Sequence, residues 1–222
     1  MRVTVDKKVA TRERLLAAAA QEFGRVGLER ASIDHISLAA GFAKGTVYNY
    51  FASKEELFLA VVEEASAQAA AAAATAPADA TARERLELTL AGFCAWARDH
   101  DAFARVLVRE CLMGTPGLYP RVVIAETPLV AALETIVREG AHSGELRGDL
   151  PADLLALALA GLADLALAQH WASGGTKPTI EEIPELVLSL LLAASEEGVN
   201  LRPPVPGSAH PLAAHPGCGG RS

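Results

Sequence analysis

The seven residues from Lys44 to Tyr50 combine small, hydrogen-bonding and aromatic side chains, and they follow a glycine turn. If they form a helix, Gly45 and Asn49 lie on one face, and Val47 and Phe51 lie together on the opposite face. An asparagine amide can make a bidentate contact with adenine, and a glycine lets the helix backbone approach the wall of a groove closely. The pattern predicts a short helix with an apolar inner face and an outer face that can read DNA bases.

Four further side chains, on this helix and at the starts of its two neighbours, could bind DNA. Thr46 can touch a base or a thymine methyl group, and the Tyr48 hydroxyl can reach a phosphate. Lys54 lies in the first turn of the next predicted helix, where the helix dipole disfavours a cation and a bound phosphate would reverse that penalty. Ser32, at the start of the preceding predicted helix, could bind a phosphate in the same way.

Local capping signals predict the helices that position this segment. Ser32 is a favourable N-cap for a helix over residues 33–40, and Gly41 is the residue type that ends a helix in the left-handed conformation. Helix 33–40, the turn at Gly41 and helix 44–50 together have the dimensions of a helix-turn-helix.

Two longer helices are predicted on either side of this unit. The first spans Thr11–Arg25, with Thr11 as its N-cap, Gly27 as its end signal and residues 1–10 as a loose arm. Ser53 begins the sequence pattern of a capping box, which predicts the start of a linker helix over 54–74.

The composition of the 222-residue chain favours an all-α fold. Hydrophobic residues make up 51% of the chain and aromatic residues only 5%, and alanine and leucine dominate. These two residue types are strong helix formers, whereas strand-forming runs of valine, isoleucine, threonine and tyrosine are scarce. Further helices are predicted over about 80–100, over 102–113, from the turn at 114–120 to about 140 with Pro128 as a kink or restart, over 152–172 and over about 179–197.

The most apolar run, residues 154–168, is interpreted as a buried helix. It is shorter than the roughly 20 residues that a membrane-spanning helix needs, and it contains Asp164. A carboxylate in an apolar helix must be paired, face a pocket or lie at an interface. We therefore expect no membrane segment, and Asp164 is a candidate functional residue.

The formal net charge of −7 argues by itself against nucleic-acid binding, but the charge is unevenly distributed. Residues 1–60 contain nine Lys/Arg and seven Asp/Glu, a net charge of +2, and the remaining residues carry −9. Phosphate attraction can therefore be confined to the N-terminal quarter of the chain.

The three cysteines, Cys94, Cys111 and Cys218, are an odd number and show no metal-site spacing. They predict reduced thiols, as in the cytoplasm, and not a disulfide framework. The N-terminus also has no apolar segment of the signal-peptide type, so a cytoplasmic location is expected.

Residues 198–222 are rich in proline and glycine and are interpreted as a flexible tail. Within it His210, His215 and Cys218 offer only three metal ligands, so no metal site is expected. The sequence contains no nucleophile elbow, phosphate loop or paired-carboxylate motif, and we expect neither an enzyme nor a cofactor.

The segment "TRERLLAAAAQEFGRVGLERASIDHISLAAGFAKGTVYNYFASKEELFLAVV" (11–62) resembles the DNA-binding domain of the TetR family of transcriptional regulators. Within it, "AKGTVYNYFASKEEL" matches in both spacing and residue type, and residues 117–171 resemble the C-terminal domains of that family more loosely. The resemblance implies a homodimer with a three-helix DNA-binding domain on each subunit. It also implies a divergent helical domain that binds an effector, with the last two helices forming the dimer interface.

Seven residues match positions that commonly contact DNA in this family: Ser32, Lys44, Gly45, Thr46, Tyr48, Asn49 and Lys54. Two positions depart from the family pattern. Ala43 replaces the usual serine or threonine, so that one helix cap is lost, a change worth roughly 0.5–2 kcal/mol. Ser37 replaces an alanine that usually packs against the third helix.

The sequence as a whole is interpreted as a ligand-responsive repressor that binds a pseudo-palindromic operator in double-stranded DNA. The expected domains are a DNA-binding domain over 1–53, an effector-binding and dimerisation domain over 54–197, and the tail. Helices 152–172 and 179–197 are expected to pair two copies, with a stripe that includes Ile183, Leu186, Val187, Leu190, Leu191 and Ala194. A small-molecule effector of apolar character is expected, and its candidate ligands are Phe93, Trp96, Cys111, Asp164 and His170.

Two alternatives remain open from the sequence. One is a helical small-molecule binding protein or enzyme whose N-terminal domain has lost DNA affinity, for which Ala43 and Ser37 are the hints. The other is an interaction module that pairs with a different regulator through its apolar helices. For the candidate effector ligands, the competing interpretation is that they are ordinary core residues.

Overall fold

The computed structural model describes residues 2–73, 77, 79–115 and 119–192, and within these ranges it contains nine α-helices, one 3₁₀ turn and no β-strand. The expected all-α fold is confirmed. We call α1–α3 the head and α4–α9 the body. The helices are α1 (Arg2–Arg30), α2 (Ile33–Ala40), α3 (Lys44–Tyr50), α4 (Lys54–Ala73), α5 (Ala82–Asp99), α6 (Asp101–Met113), α7 (Tyr119–Ser143), α8 (Ala152–Ala172) and α9 (Ile183–Leu192), and the 3₁₀ turn is Ile180–Glu182.

The first helix is longer than the sequence predicted. It begins at Arg2 and ends at Arg30, with a kink at Gly27, whose φ of 78° and ψ of 168° are not helical. Thr11 is not an N-cap, because its hydroxyl donates to the carbonyl of Lys7, one helical turn earlier, at 2.8 Å. Residues 2–10 contain no glycine or proline, so nothing in them stops the helix, and the expectation of a loose arm over 1–10 is wrong from residue 2 onward.

The apolar stripes of the three head helices meet in one core. Leu15 and Phe23 of α1, Ile36 of α2 and Val47 of α3 are all buried. Phe23 also meets Phe58 of α4 edge to face, with ring centroids 5.1 Å apart. The core of the head is therefore continuous with the first helix of the body.

The body is a bundle in which α4 packs against α5, α6 and α7, α7 packs against α8, and α9 packs against α5 and α8. Leu57, Leu90, Leu133 and Leu159 come from four of these helices, and all of them are buried. The predicted kink or restart at Pro128 does not divide α7, which runs through this proline as one helix. Proline removes only one backbone hydrogen bond, and the packing of α7 on α4 and α8 is retained.

The α8 helix has the predicted bounds, 152–172, but it differs from its sequence interpretation in burial. Its 21 residues are long and apolar enough to cross a membrane by length and composition alone, although the apolar run 154–168 within it is shorter. The core helix of a globular bundle passes the same test, and α8 packs here against α6, α7 and α9. Only one side is buried, because Leu154, Leu157 and Leu165 are each more than half exposed.

Capping boxes fix two helix starts that the sequence had placed only approximately. Thr81 accepts from the Glu84 amide, and the Glu84 carboxylate accepts from the Thr81 amide, so α5 begins at Ala82. Thr179 starts the 3₁₀ turn that leads into α9 in the same way. The remainder of helix 179–197 beyond Leu192, the tail 198–222 and its residues His210, His215 and Cys218 lie outside the described residues.

Candidate nucleic-acid interface

The predicted helix-turn-helix is present, and its turn is held by main-chain hydrogen bonds. The Ser32 hydroxyl accepts from the His35 amide at 3.5 Å and caps α2. Gly41 adopts the left-handed conformation, with φ 74° and ψ 34°, which favours glycine. Its amide donates to the Leu38 carbonyl at 3.0 Å, so that the chain leaves α2 abruptly. Three residues, 41–43, separate α2 from α3.

The orientation of α3 agrees with the sequence prediction. Val47 is buried, whereas Gly45, Tyr48 and Asn49 are exposed on the other side and Thr46 is half-buried. Apart from its two chain neighbours and the adjoining backbone of α3, no described atom lies within 4 Å of the position that a Cβ on Gly45 would take. The outer face of α3 is therefore open, and the glycine leaves a gap in its side-chain layer.

The two departures from the family pattern have different consequences. Ala43 occupies the N-cap position of α3, and no side-chain cap hydrogen bond is formed there, as the sequence predicted. Ser37 is buried, but its hydroxyl donates to the carbonyl of Asp34 at 3.0 Å. The serine therefore leaves no unsatisfied hydroxyl in the core of the head, whereas the start of α3 does lack its own cap.

The two lysines among the predicted DNA-contacting residues both have partners within the chain. Lys44 Nζ lies 3.1 Å from a carboxylate oxygen of Asp34, and both side chains are more than half exposed. Such surface ion pairs contribute little, about 0–1 kcal/mol, so a phosphate can compete for this lysine. Lys54 Nζ donates to the carbonyls of Glu29 and Ala31 at 3.1 and 3.4 Å. The negative end of α1 thereby offsets the penalty that Lys54 meets at the start of α4, a contact that the sequence did not reveal.

Glu22 is a structural residue of the head that sequence reasoning missed. Its side chain is buried, and it accepts hydrogen bonds from Arg25 at 2.6 Å and from the Ser32 amide at 3.4 Å, with His35 Nδ1 also at 3.4 Å. Burial raises the pKa of Glu22, but the hydrogen bonds from Arg25 and Ser32 outweigh it and leave the pKa below its ordinary value. The i, i+3 spacing of Glu22 and Arg25 was the available sequence signal for this cluster.

The head is attached to the body through α6 as well as through α4. Arg109 donates to the carbonyls of Phe23 and Gly24 at 2.8 and 2.7 Å. A Cβ on Gly24 would lie 3.1 Å from the Ala102 carbonyl oxygen, so α1 and α6 approach closely at this glycine. A cleft of about 810 Å³ lies beside this contact, between α6 and the head helices α1 and α2.

The candidate effector ligands are distributed over several parts of the body. Phe93 and Trp96 are buried and stacked, with ring centroids 5.9 Å apart, and the Trp96 indole donates to Gln68 Oε1 at 3.2 Å. Cys111 is half-buried on α6. His170 Nδ1 lies 2.8 Å from the Pro178 carbonyl oxygen, a contact with the loop that follows α8.

Asp164 is buried on α8 and influences a neighbouring helix. Burial raises the pKa of Cys94 on α5 to about 12, and the charges of Asp164 and Glu181 contribute to this shift. The Cys94 thiol is therefore protonated and unreactive at neutral pH. Of the predicted ligands, Phe93 thus stacks on Trp96, and Asp164 lies near Cys94. His170 instead contacts the loop that follows α8.

The exposed sides of α8 and α9 form a continuous apolar surface. Leu165 of α8 and Leu186 and Leu190 of α9 line a shallow groove of about 170 Å³, and the two α9 leucines are 44% and 60% exposed. Ile183 and Val187 of the predicted pairing stripe are instead buried within the single chain, because α9 packs with that side against α5 and α8. Over its described part, residues 183–190, the stripe therefore contains two faces, and the face with Leu186 and Leu190 is the exposed one. The Leu191 side chain and Ala194 lie outside the described part of this surface.

Two family descriptions match the chain: "Bacterial regulatory proteins, tetR family" over residues 15–61, and "Tetracyclin repressor-like, C-terminal domain" over residues 79–194. The chain is 28% identical over 177 residues to the HTH-type transcriptional repressor AcnR of Corynebacterium diphtheriae, covering 79% of this chain and 88% of that protein. It is 26% identical over 181 residues to the fatty acid metabolism regulator protein of Bacillus subtilis, covering 81% of this chain and 92% of that protein. Among solved structures, FadR from Bacillus subtilis in complex with stearoyl-CoA has a TM-score of 0.73 at 24% identity and covers 82% of this chain and 97% of that chain.

Proposed function

The chain belongs to the TetR family of bacterial regulatory proteins and is a DNA-binding regulator of transcription, and we propose that it is a repressor that binds a pseudo-palindromic operator as a homodimer. The observation that carries the proposal is the open outer face of α3, which presents Gly45, Tyr48 and Asn49 beside the Gly41 turn. Each head places α3 in a major groove, and two heads read half-sites about one helical turn, roughly 34–36 Å, apart or somewhat more.

The proposed contacts divide into base reading and phosphate binding. Asn49 and Thr46 contact bases, and Gly45 permits close approach of the backbone. Tyr48 and Lys44 bind phosphates, as does the helix start at Ser32. Lys54 uses two of its three N–H donors on main-chain carbonyls, which leaves one donor for a phosphate.

The proposed dimer interface is the exposed side of α8 and α9. Large leucines are exposed along both helices, and a groove between them accepts further apolar side chains. Gly161 of α8 is exposed, and apart from its own helix no described atom lies within 4 Å of an added Cβ, so a partner helix can approach there. In this arrangement residues 1–53 form the DNA-binding domain, residues 54–197 form the effector-binding and dimerisation domain, and residues 198–222 form the tail.

The proposed effector is a molecule with a large apolar part, bound among α5–α8 in the cytoplasm. The mostly apolar interior of the body supports this assignment, with Phe93, Trp96, Cys111, Asp164 and His170 as candidate ligands. The relative in Bacillus subtilis that is described as a fatty acid metabolism regulator agrees with an apolar effector. To release the operator, the effector must bind one spacing of the two heads better than the other, and α4 is the helix that changes tilt.

The test measures the affinity of the full chain for DNA from upstream of its own gene and for a pool of random duplexes. Fluorescence anisotropy reports this binding at several salt concentrations. We expect tight binding that weakens steeply with salt, because phosphate neutralisation releases counterions. Tyr48→Ala should abolish tight binding, whereas Arg138→Met, on the exposed side of α7, should leave it unchanged. If the chain binds neither DNA source at low salt, the proposal is contradicted.

A further inference from the structure

One arginine of α1 contacts the turn of the helix-turn-helix on both sides of its glycine. Arg14 Nη2 donates to the carbonyl of Ala40 at 2.8 Å, and the Arg14 guanidinium lies over the Phe42 ring, 4.7 Å from its centroid. A Cβ on Gly41 would lie only 2.9 Å from Arg14 Nη2. The guanidinium is therefore packed directly against the three residues with which the chain leaves α2.

The Ala40 carbonyl is one of the acceptors that the end of α2 leaves without a helical partner. The amides of Gly41 and Phe42 satisfy the carbonyls of Leu38 and Ser37 at 3.0 and 2.9 Å, and Arg14 satisfies that of Ala40. A cation at the C-terminus of a helix is also favoured by the helix dipole. Arg14 thus completes the capping of α2 from a different helix.

The start of α3 lacks the corresponding support. Ala43 has the extended conformation of an N-cap residue, with φ −74° and ψ 151°, but its methyl group cannot accept a hydrogen bond. The turn between α2 and α3 is therefore held on one side by Arg14 and is not capped on the other. The angle of α3 depends on this turn and on the burial of Val47.

We propose that Arg14 is a positioning residue for DNA binding, which holds the turn before α3 in place of the side-chain cap that Ala43 does not provide. The inference rests on the proposed function, because the consequence of a loose turn is lost DNA affinity. Without Arg14, α3 adopts a range of angles, and only the fraction that fits the groove binds. The residue contributes through the turn, not through contact with a base.

A direct phosphate contact by Arg14 gives different expectations. Removing a phosphate ligand lowers the salt dependence of binding by about one unit in the slope of log K against log salt. A lysine would keep most of such a contact, since it retains the charge. A lysine cannot reproduce the planar stacking on Phe42, so it should fail as a positioning residue.

The experiment measures affinity, as a function of salt, for a duplex that the unmodified chain selects from a random pool. For Arg14→Met we expect affinity about tenfold lower with an unchanged salt slope, and for Arg14→Lys a similar loss. Adding Ala43→Ser to Arg14→Met should restore most of the affinity, because the new hydroxyl caps α3 and fixes the turn from its other side. Ala43→Ser alone should change affinity by less than about threefold.

The controls separate positioning from misfolding and from the proposed function. Arg138→Met removes the same charge from an arginine of α7 that pairs with Glu134, and it should leave affinity unchanged. If Arg14→Met does not fold, Phe42→Leu removes the ring under the guanidinium, and its loss of affinity should also be recovered by Ala43→Ser.

A salt slope lowered by about one unit, full binding by Arg14→Lys, or no recovery by Ala43→Ser would overturn the proposal for Arg14. Failure of the unmodified chain to select any duplex would instead overturn the proposed function.

Discussion

Arg109 of α6 donates to the main-chain carbonyl of Gly24 in α1 at 2.7 Å, and through this contact the body holds the head beside the kink at Gly27. The same guanidinium also donates to the Phe23 carbonyl. Both carbonyls lie in the last turn before the kink. The position of the head on the body is therefore fixed at the backbone of α1.

Replacing Arg109 with methionine should loosen the head without unfolding the body. Hydrogen bonds from a charged donor contribute about 1.5–3 kcal/mol, so the free energy of unfolding should fall by up to that amount. Amide hydrogen exchange should rise in α1 around residues 20–30 and stay unchanged in α8. If exchange in α1 is unaltered, Arg109 does not hold the head.

Replacing Gly45 with alanine should separate stability from DNA binding. The site is exposed within α3, and apart from its own helix no described atom lies within 4 Å of the new Cβ, so the free energy of unfolding should rise by roughly 0.5–1 kcal/mol. DNA affinity should fall because the methyl group occupies the gap facing the groove. Thermal unfolding and anisotropy on the same sample measure both effects, and unchanged affinity would show that α3 does not approach DNA with this face.

Replacing Leu190 with glutamate should produce monomers that no longer bind the operator. Leu190 is 60% exposed on α9, so the charge costs little in the single chain but is buried at the proposed interface. Sedimentation velocity and anisotropy measure the two outcomes. Leu88→Glu is the matched control, because Leu88 is 44% exposed on α5 and should leave the dimer intact. A Leu190→Glu dimer that still binds would show that the interface is wrongly assigned.

Replacing Thr89 with valine should stabilise the body. Thr89 is 1% exposed, and its hydroxyl has no hydrogen-bond partner among the residues that the structure describes. A buried unsatisfied hydroxyl costs about 1–3 kcal/mol, and valine has nearly the same shape. The urea midpoint should therefore increase, and a decrease would mean that the hydroxyl is satisfied, for example by buried water.

The acid dependence of stability should depend on Glu22. Its pKa is below the ordinary value in the folded chain, so the ionised form contributes stability above the unfolded pKa of about 4.3, and this contribution is lost as pH falls through the folded pKa. Glu22→Gln should lower the free energy of unfolding at pH 7. It should also flatten the decline of that free energy as the pH falls below about 4.3. Parallel pH profiles for the variant and the unmodified chain would contradict this assignment.

The sequence predicted the helix-turn-helix well because the signals for it are local. Ser32, Gly41 and the alternation of Val47 with Asn49 lie within a few residues of the features they specify. The start of α1 was missed because helix propensity without a breaker gives no boundary. For α9, a helix that is apolar on two sides does not reveal which leucines pack inside the chain and which remain free.

The contacts that hold the head could not be predicted from the sequence. Each of three cations binds a carbonyl far away in the sequence. The separation is 26 positions for Arg14, 25 for Lys54 and 86 for Arg109. Side-chain periodicity carries no information about such pairs, because the acceptor is the backbone and any residue type can supply it. The same reason explains why Lys54 was assigned to phosphate alone.

The binding of cationic side chains to main-chain carbonyls affects how related chains diverge. A main-chain carbonyl cannot be mutated, so where Lys54 and Arg109 bind carbonyls of the head, no partner side chain exists whose substitution could be compensated. Related chains that keep these contacts should retain the cation while an exposed acceptor position such as Glu29 varies, whereas Phe23 is restricted by the core and Gly24 by the approach of α6. Covariation between positions would then be weak at these contacts, although head and body touch there directly.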